Sequence, residues 1–169
     1  LSHPIHIDLQ QIQSLADNNQ EQNEQFRLFL KQQDATAIDQ MVMQLNEEVS
    51  AAIDCTQCGN CCRSLMINVS TEEADNLSAR LDMPLTAFKS AYIEESESGR
   101  MLMNRIPCAF LHDNKCTVYE DRFSGCREFP HLDRPGFTGR LFGTMMYYGT
   151  CPIIFHVVEK LKMATGFHH

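Results

Sequence analysis

Cys55, Cys58, Cys61 and Cys62 fall within eight residues, in the run Cys55-Thr-Gln-Cys58-Gly-Asn-Cys61-Cys62-Arg63. Four thiols this close cannot all pair with one another, because a disulfide requires a defined separation and torsion. Soft thiolates at two-residue spacing can instead turn toward one soft metal ion or one iron–sulfur cluster. Gly59 helps, since it permits backbone conformations that other residues resist. The adjacent Cys61 and Cys62 side chains diverge, so the doublet serves two sites, bridges two metals, or supplies one ligand and one packed thiol.

Cys108, Cys116, Cys126 and Cys151 complete a set of eight cysteines. Their separations are too long for one local hook, so the fold must bring those sulfurs together. Two four-thiolate sites, or one such cluster beside a separate site or free thiols, are equally compatible with the spacing. Four thiolates suit zinc and iron–sulfur clusters alike. The CxxCxxC hook leans toward iron, whereas isolated zinc is redox-silent and mainly structural. A four-thiolate site around a divalent ion carries a formal −2, which Arg63, Arg122 and Arg127 are placed in sequence to offset or to share with an anionic substrate. Ordinary salt bridges are the simpler expectation for all three. His112, His131 and His156 are further candidates, with His131 the best placed, but a role outside the metal is expected. Tyr119 is read as a core or hydrogen-bonding residue, and the paired methionines as core filler.

The elements that must position these residues follow from periodicity. Residues 1–51 form an acidic, Gln-rich helical extension, and residues 52–169 the cysteine domain. Phe26, Phe29 and Leu30 lie on one helical face. Ile38, Met41, Val42, Leu45, Val49, Ala52 and Ile53 form a second stripe, with a break near Asp34. Leu65, Ile67 and Val69 alternate as a short strand. Ser70 and Glu73 have capping-box spacing ahead of a helix carrying Leu77 and Leu81. Pro84 opens another helix with Leu85, Phe88 and Tyr92 on one face. Residues 94–100 read as a loop, Met101–Met103 and Ala109–Leu111 as strands, and 123–143, with four glycines and two prolines, as irregular. Pro152 suits the first turn of a last helix. The expected fold is mainly α with short β-strands and long loops, a small domain cross-linked by metal.

Charge narrows the function. The net charge is −8, and residues 1–54 carry nine acidic against two basic side chains. Nucleic acid, whose phosphates require a basic surface, is excluded as a partner. No segment approaches the ~18 apolar residues needed to span a bilayer. No basic start followed by an apolar run is visible, so a reducing cytoplasm is expected, where clustered cysteines mean metal or redox work. The acidic helices are a solvated face or a docking surface for a protein partner.

The same cysteine run resembles the signature of the CxxCxxCC (YkgJ-type) zinc- or iron-chelating domain family. The resemblance continues through Pro107-Cys108-Ala-Phe-Leu111, Cys116-Thr-Val-Tyr119-Glu-Asp-Arg122, Gly125-Cys126-Arg127-Glu-Phe-Pro130 and Cys151-Pro152. It implies metal chelation by Cys55, Cys58, Cys61, Cys62, Cys108, Cys116, Cys126 and Cys151. It differs at Phe123, where the family often has proline after the arginine, and in the acidic segment before Ala52. The function expected is therefore a metal-binding protein holding iron (as an iron–sulfur cluster) or zinc, in electron transfer, metal handling or metal-stabilised interaction. A similar cysteine region occurs in flagellin lysine N-methylases with an iron–sulfur cluster and S-adenosylmethionine. An S-adenosylmethionine-dependent protein methyltransferase is accordingly one alternative, and a zinc-stabilised adaptor the other. No catalytic residue is assigned.

Overall fold

The computed structural model describes Ile5 and residues 7–168. In chain order the helices and strands are α1 (Leu9–Asn18), α2 (Gln20–Leu30), α3 (Ala35–Ala52), α4 (Cys55–Cys58), α5 (Cys61–Ser64), β1 (Asn68–Val69), α6 (Thr71–Arg80), α7 (Leu85–Tyr92), β2 (Ile93–Glu95), β3 (Met101–Met103), β4 (Leu111–His112), β5 (Lys115–Cys116), a 3-10 turn (Tyr119–Asp121), α8 (Ser124–Glu128), α9 (Phe137–Met145) and α10 (Pro152–Ala164). The fold is mainly α, with a few short antiparallel strands. It divides into two compact units that are not sequential: residues 1–54 with 130–169, and residues 55–129.

The helical unit comprises α1, α2, α3, α9 and α10. Its core is built from Ile12, Phe26, Leu30, Ile38, Val42 and Val49 with Phe137, Leu141, Ile154, Val157, Val158 and Leu161, all essentially inaccessible. Burying each such large side chain is worth about 1.5–3 kcal/mol. α10 is buried on nearly every face from Pro152 to Val158, as a helix whose one polar residue before Glu159 is His156 must be. Its one buried cation, Lys162, donates to Gln22 Oε1 at 2.9 Å and to Glu159 Oε1 at 2.7 Å. Tyr148 donates its hydroxyl to the same Glu159 oxygen at 2.7 Å. Burial holds the Lys162 amine below its ordinary range, and the pairing with Glu159 offsets only part of that.

Two readings of this region are corrected. The first stretch of the extension is two helices, α1 and α2, meeting at Asn19. Residues 123–143 are not irregular throughout, because α8 and α9 form there. α9 contains Gly139 and Gly143, which local propensity disfavours. Tertiary contacts overcome that cost: Phe137 and Leu141 are buried. The Asp39 carboxylate of α3 accepts from Gly136 N at 2.6 Å and Phe137 N at 2.8 Å, satisfying amides that a helix start leaves open.

The cysteine unit comprises α4 to α8 and β1 to β5. Its core gathers Val69, Ala74, Leu77, Phe88, Met101, Met103, Phe110, Val118 and Phe123. β1, β3 and β2 form one antiparallel sheet in that order, with Asn68 opposite Leu102 and Ile93 opposite Met103. β2 and its tight turn occupy part of the expected loop at 94–100, and β1 is only the end of the expected 65–69 strand. The Ser70–Glu73 capping box forms in both directions, with Ser70 N to Glu73 Oε2 at 2.8 Å and Glu73 N to Ser70 Oγ at 3.2 Å. α7 and α10 begin at their prolines as expected.

Candidate metal centre

The cysteine run folds as two short helical turns, α4 and α5, hinged at Gly59 and Asn60. Gly59 takes φ +61°, and a Cβ there would stand 2.8 Å from the Asn114 carbonyl oxygen. α4 thus lies directly against the β4–β5 hairpin that carries Cys116. Arg63 ties the two together, donating to Cys58 O at 3.3 Å and to Asn114 Oδ1. On the other side of the doublet, Cys108 N donates to Cys62 O at 2.7 Å. Cys108, Cys116 and Cys126 all pack against the edge of the hydrophobic core, so the core sets where these thiols stand.

Cys126 is brought in by α8. Ser124 N, two residues ahead of it, donates to Glu73 Oε1 at 2.6 Å. One carboxylate therefore caps α6 and anchors α8. Burial works against its charge, but the hydrogen bonds from Ser124 and Ser70 prevail and hold its carboxyl below the ordinary range. Gly125 leaves its α-carbon close to Ile67, whose Cγ2 would lie 3.5 Å from an added Cβ.

Five thiols influence one another across this arrangement: Cys61, Cys62, Cys108, Cys116 and Cys126. A hydrogen bond from the Cys62 thiol lowers Cys61 to about 7, against the opposing effect of burial. Cys62 is raised by that same hydrogen bond, then by burial and by the charges of Cys61, Cys108 and Cys116. Burial raises Cys108, with Cys116 adding to it and Arg105 opposing. Burial pushes Cys126 up to about 12, reinforced by Cys108, Cys61 and Cys116 and opposed by Arg122. Burial penalises all four thiolates, and neighbouring thiolate charges add to it at Cys62, Cys108 and Cys126. A cation among them would relieve it.

The arginines divide their work. Arg122 lies over the Tyr119 ring at 3.8 Å and donates to Tyr119 O at 2.6 Å, while its charge reaches Cys126. Arg127 donates to Arg122 O at 2.9 Å and to Glu120 O, knitting the chain between Cys116 and Cys126. Sequence reasoning overlooked Arg105, Asn114 and Glu73 as parts of the site. Arg105 lies three residues before Cys108, and that proximity was the available signal. The Asn114 and Glu73 contacts span 51 residues in each case, and no local pattern announces them.

Cys55 and Cys58 lie on α4, the first exposed and the second half-buried. Cys151 is half-buried and stands immediately before α10, in the helical unit. His112 is exposed on the hairpin, with Nδ1 3.1 Å from Asp113. His131 and His156 belong to the helical unit. His131 O accepts from Arg140 Nη2 at 3.0 Å, and His156 is buried edge-on to Phe155.

The donor chemistry fits a thiophilic metal such as zinc or iron. Among the described residues, no three His, Cys, Asp or Glu side chains already stand as a ligating set, so holding a metal requires the thiols to draw closer and shed protons. Among the described residues, no helix is long and apolar enough to cross a membrane. A family model described as "Putative zinc- or iron-chelating domain" matches residues 54–151, more than half of the chain. No curated protein and no solved structure matches it.

Proposed function

The chain belongs to the CxxCxxCC family, and on that premise we propose that it is a metal-handling protein that takes up zinc or iron through cysteine thiolates of residues 55–129. What supports the reading is geometry within one compact unit: Cys108 N donates to Cys62 O, α4 packs on the hairpin that carries Cys116, and Cys108, Cys116 and Cys126 pack on one core. Cys61, Cys62, Cys108, Cys116 and Cys126 supply thiolates. Arg105 and Arg122 offset their charge, and Arg63 and Glu73 hold the segments that carry them. When bound, the metal supplies the positive charge that lets several neighbouring thiols ionise together.

Handling, as opposed to a sealed structural role, is favoured by access. None of the eight cysteines is fully buried, and Cys55 is exposed. A metal held here is open to a competing thiol or chelator, which a closed structural site resists. An enclosed centre is the alternative that this exposure argues against.

The test is anaerobic purification followed by elemental analysis, optical and electron paramagnetic resonance spectra, and challenge with a chromogenic chelator. The expected result is at least one zinc or iron per chain, released within minutes, and reduced at least tenfold in the Cys61→Ser, Cys116→Ser double variant. Charge-transfer bands and sulfide would identify an iron–sulfur cluster. A freshly reduced protein with only trace metal, unable to bind added zinc or ferrous iron, overturns the reading. Metal retained for hours against the chelator overturns handling alone.

A further inference from the structure

α4 is a single helical turn that begins at Cys55 and ends at Cys58, closed by the Gly59 amide donating to Cys55 O at 3.3 Å. One helical turn places residues three apart on the same face, with α-carbons about 5 Å apart. A disulfide joins α-carbons roughly 4.4–6.8 Å apart, so this pair can close with its backbone in place. The neighbouring cysteines are less suited. Cys61 and Cys62 are consecutive in α5, and consecutive α-carbons stand about 3.8 Å apart, short of that range. Cys58 and Cys61 lie on different helical turns, parted by Gly59 at φ +61°.

Access divides the pair. Cys55 is exposed, alone among the eight cysteines, and Cys58 is half-buried. Reaction with a disulfide from solution requires an accessible attacking sulfur, which Cys55 supplies. A half-buried partner one turn away is then placed to displace the group that Cys55 has taken up. The turn is held from outside: Arg63 donates to Cys58 O at 3.3 Å and to Asn114 Oδ1, and α4 packs on β5. The bond to Cys58 uses its carbonyl oxygen, not its sulfur.

We propose that Cys55 and Cys58 form a thiol–disulfide exchange pair that reduces low-molecular-weight disulfides, separate from the five thiols assigned to the metal. The Cys55 thiolate attacks the disulfide RSSR, which forms a mixed disulfide at Cys55 and releases one RS−. The Cys58 thiolate then attacks the Cys55 sulfur, which forms the Cys55–Cys58 bond and releases the second RS−. Two electrons pass from the protein to RSSR, and the two thiol protons end on two RSH. An excess of RSH reverses both steps. Because the turn keeps its backbone, the hairpin that carries Cys116 is not displaced and a bound metal stays in place. The pair therefore takes up oxidising equivalents ahead of the ligand thiols. The proposal rests on the metal-handling reading only in treating those five thiols as the ligands.

The probe is glutathione disulfide, added anaerobically to the full metal-loaded chain. Released glutathione is followed with time and metal content is measured on the same samples. Remaining thiols are then blocked with iodoacetamide under denaturing conditions, and oxidised ones are reduced, labelled with N-ethylmaleimide and located by tandem mass spectrometry. The expected result is the second label on Cys55 and Cys58 together, two glutathiones released per chain and no loss of metal. Cys58→Ser is expected to release one glutathione and keep the other on Cys55, and Cys55→Ser to slow release at least tenfold. Oxidation of any other pair first overturns the proposal. So does metal lost in step with the Cys55–Cys58 bond, which would make these thiols ligands, or release that neither variant alters, or no release at all. A chain that holds no metal fails the metal-handling reading, while the position of the first disulfide still decides this one.

Discussion

Gly59 stands at φ +61° with the Asn114 backbone against its α-carbon. Both facts act in the same direction. A side chain at positive φ is strained, and here it would also meet a carbonyl oxygen at 2.8 Å that belongs to backbone. The hairpin would have to move, and Cys116 with it. Gly59→Ala is expected to cost about 1–3 kcal/mol in the cysteine unit, read by thermal unfolding, and to lower metal content more than it lowers helicity. An unchanged melting temperature would show that α4 and the hairpin are not held this closely. The arginines carry a second lesson at this scale. Arg63 and Arg127 spend their guanidinium donors mainly on carbonyl and amide oxygens. Their contribution is to hold cysteine-bearing segments in place, and the direct electrostatic effect on thiols comes from Arg105 and Arg122.

Element by element, the helices that formed where expected carry their own start signals. α6 has its capping box, α10 has Pro152 at its first turn, and α3 has Asp34, whose carboxylate accepts from Ala37 N at 2.7 Å. α9 has no such local signal. It begins at Gly136, at φ +81°, and its first amides are satisfied by a carboxylate 97 residues away in sequence. That dependence is testable. Asp39→Ala is expected to destabilise the protein by about 0.5–2 kcal/mol, the usual worth of a helix cap, with Asp39→Asn losing less because it keeps one acceptor. The readout is a denaturant midpoint shift at constant m-value. No shift in either variant would mean that α9 starts without help from α3.

For the whole molecule, the thiols link metal, protons and stability. Cys126 is an acid whose folded value, about 12, lies above its ordinary 9.0. Without metal, its contribution to stability is fully present below pH 9 and is lost as pH rises toward 12. Cys108 moves in the same direction. The metal-free protein should therefore lose melting temperature above about pH 9, and metal-free Cys126→Ser should lose less. With metal bound the sign reverses below that range. Ligand thiols must be deprotonated, so zinc affinity, measured by competition, should rise from pH 6 to 8 with protons released on binding. A pH-independent affinity would argue against thiolate ligation. What this chain's residues establish locally is the chemistry and the helix starts. Eight cysteines, their spacing, the Ser70–Glu73 box and Pro152 are all short-range facts, and each can be read without a fold because its physics acts within a few residues. The approach of Cys108, Cys116 and Cys126 to the Cys61–Cys62 doublet, the double duty of Glu73 and the existence of α9 could be decided only in three dimensions. Each rests on contacts between segments tens of residues apart, selected by which apolar faces bury together, and periodicity along the chain does not encode that selection.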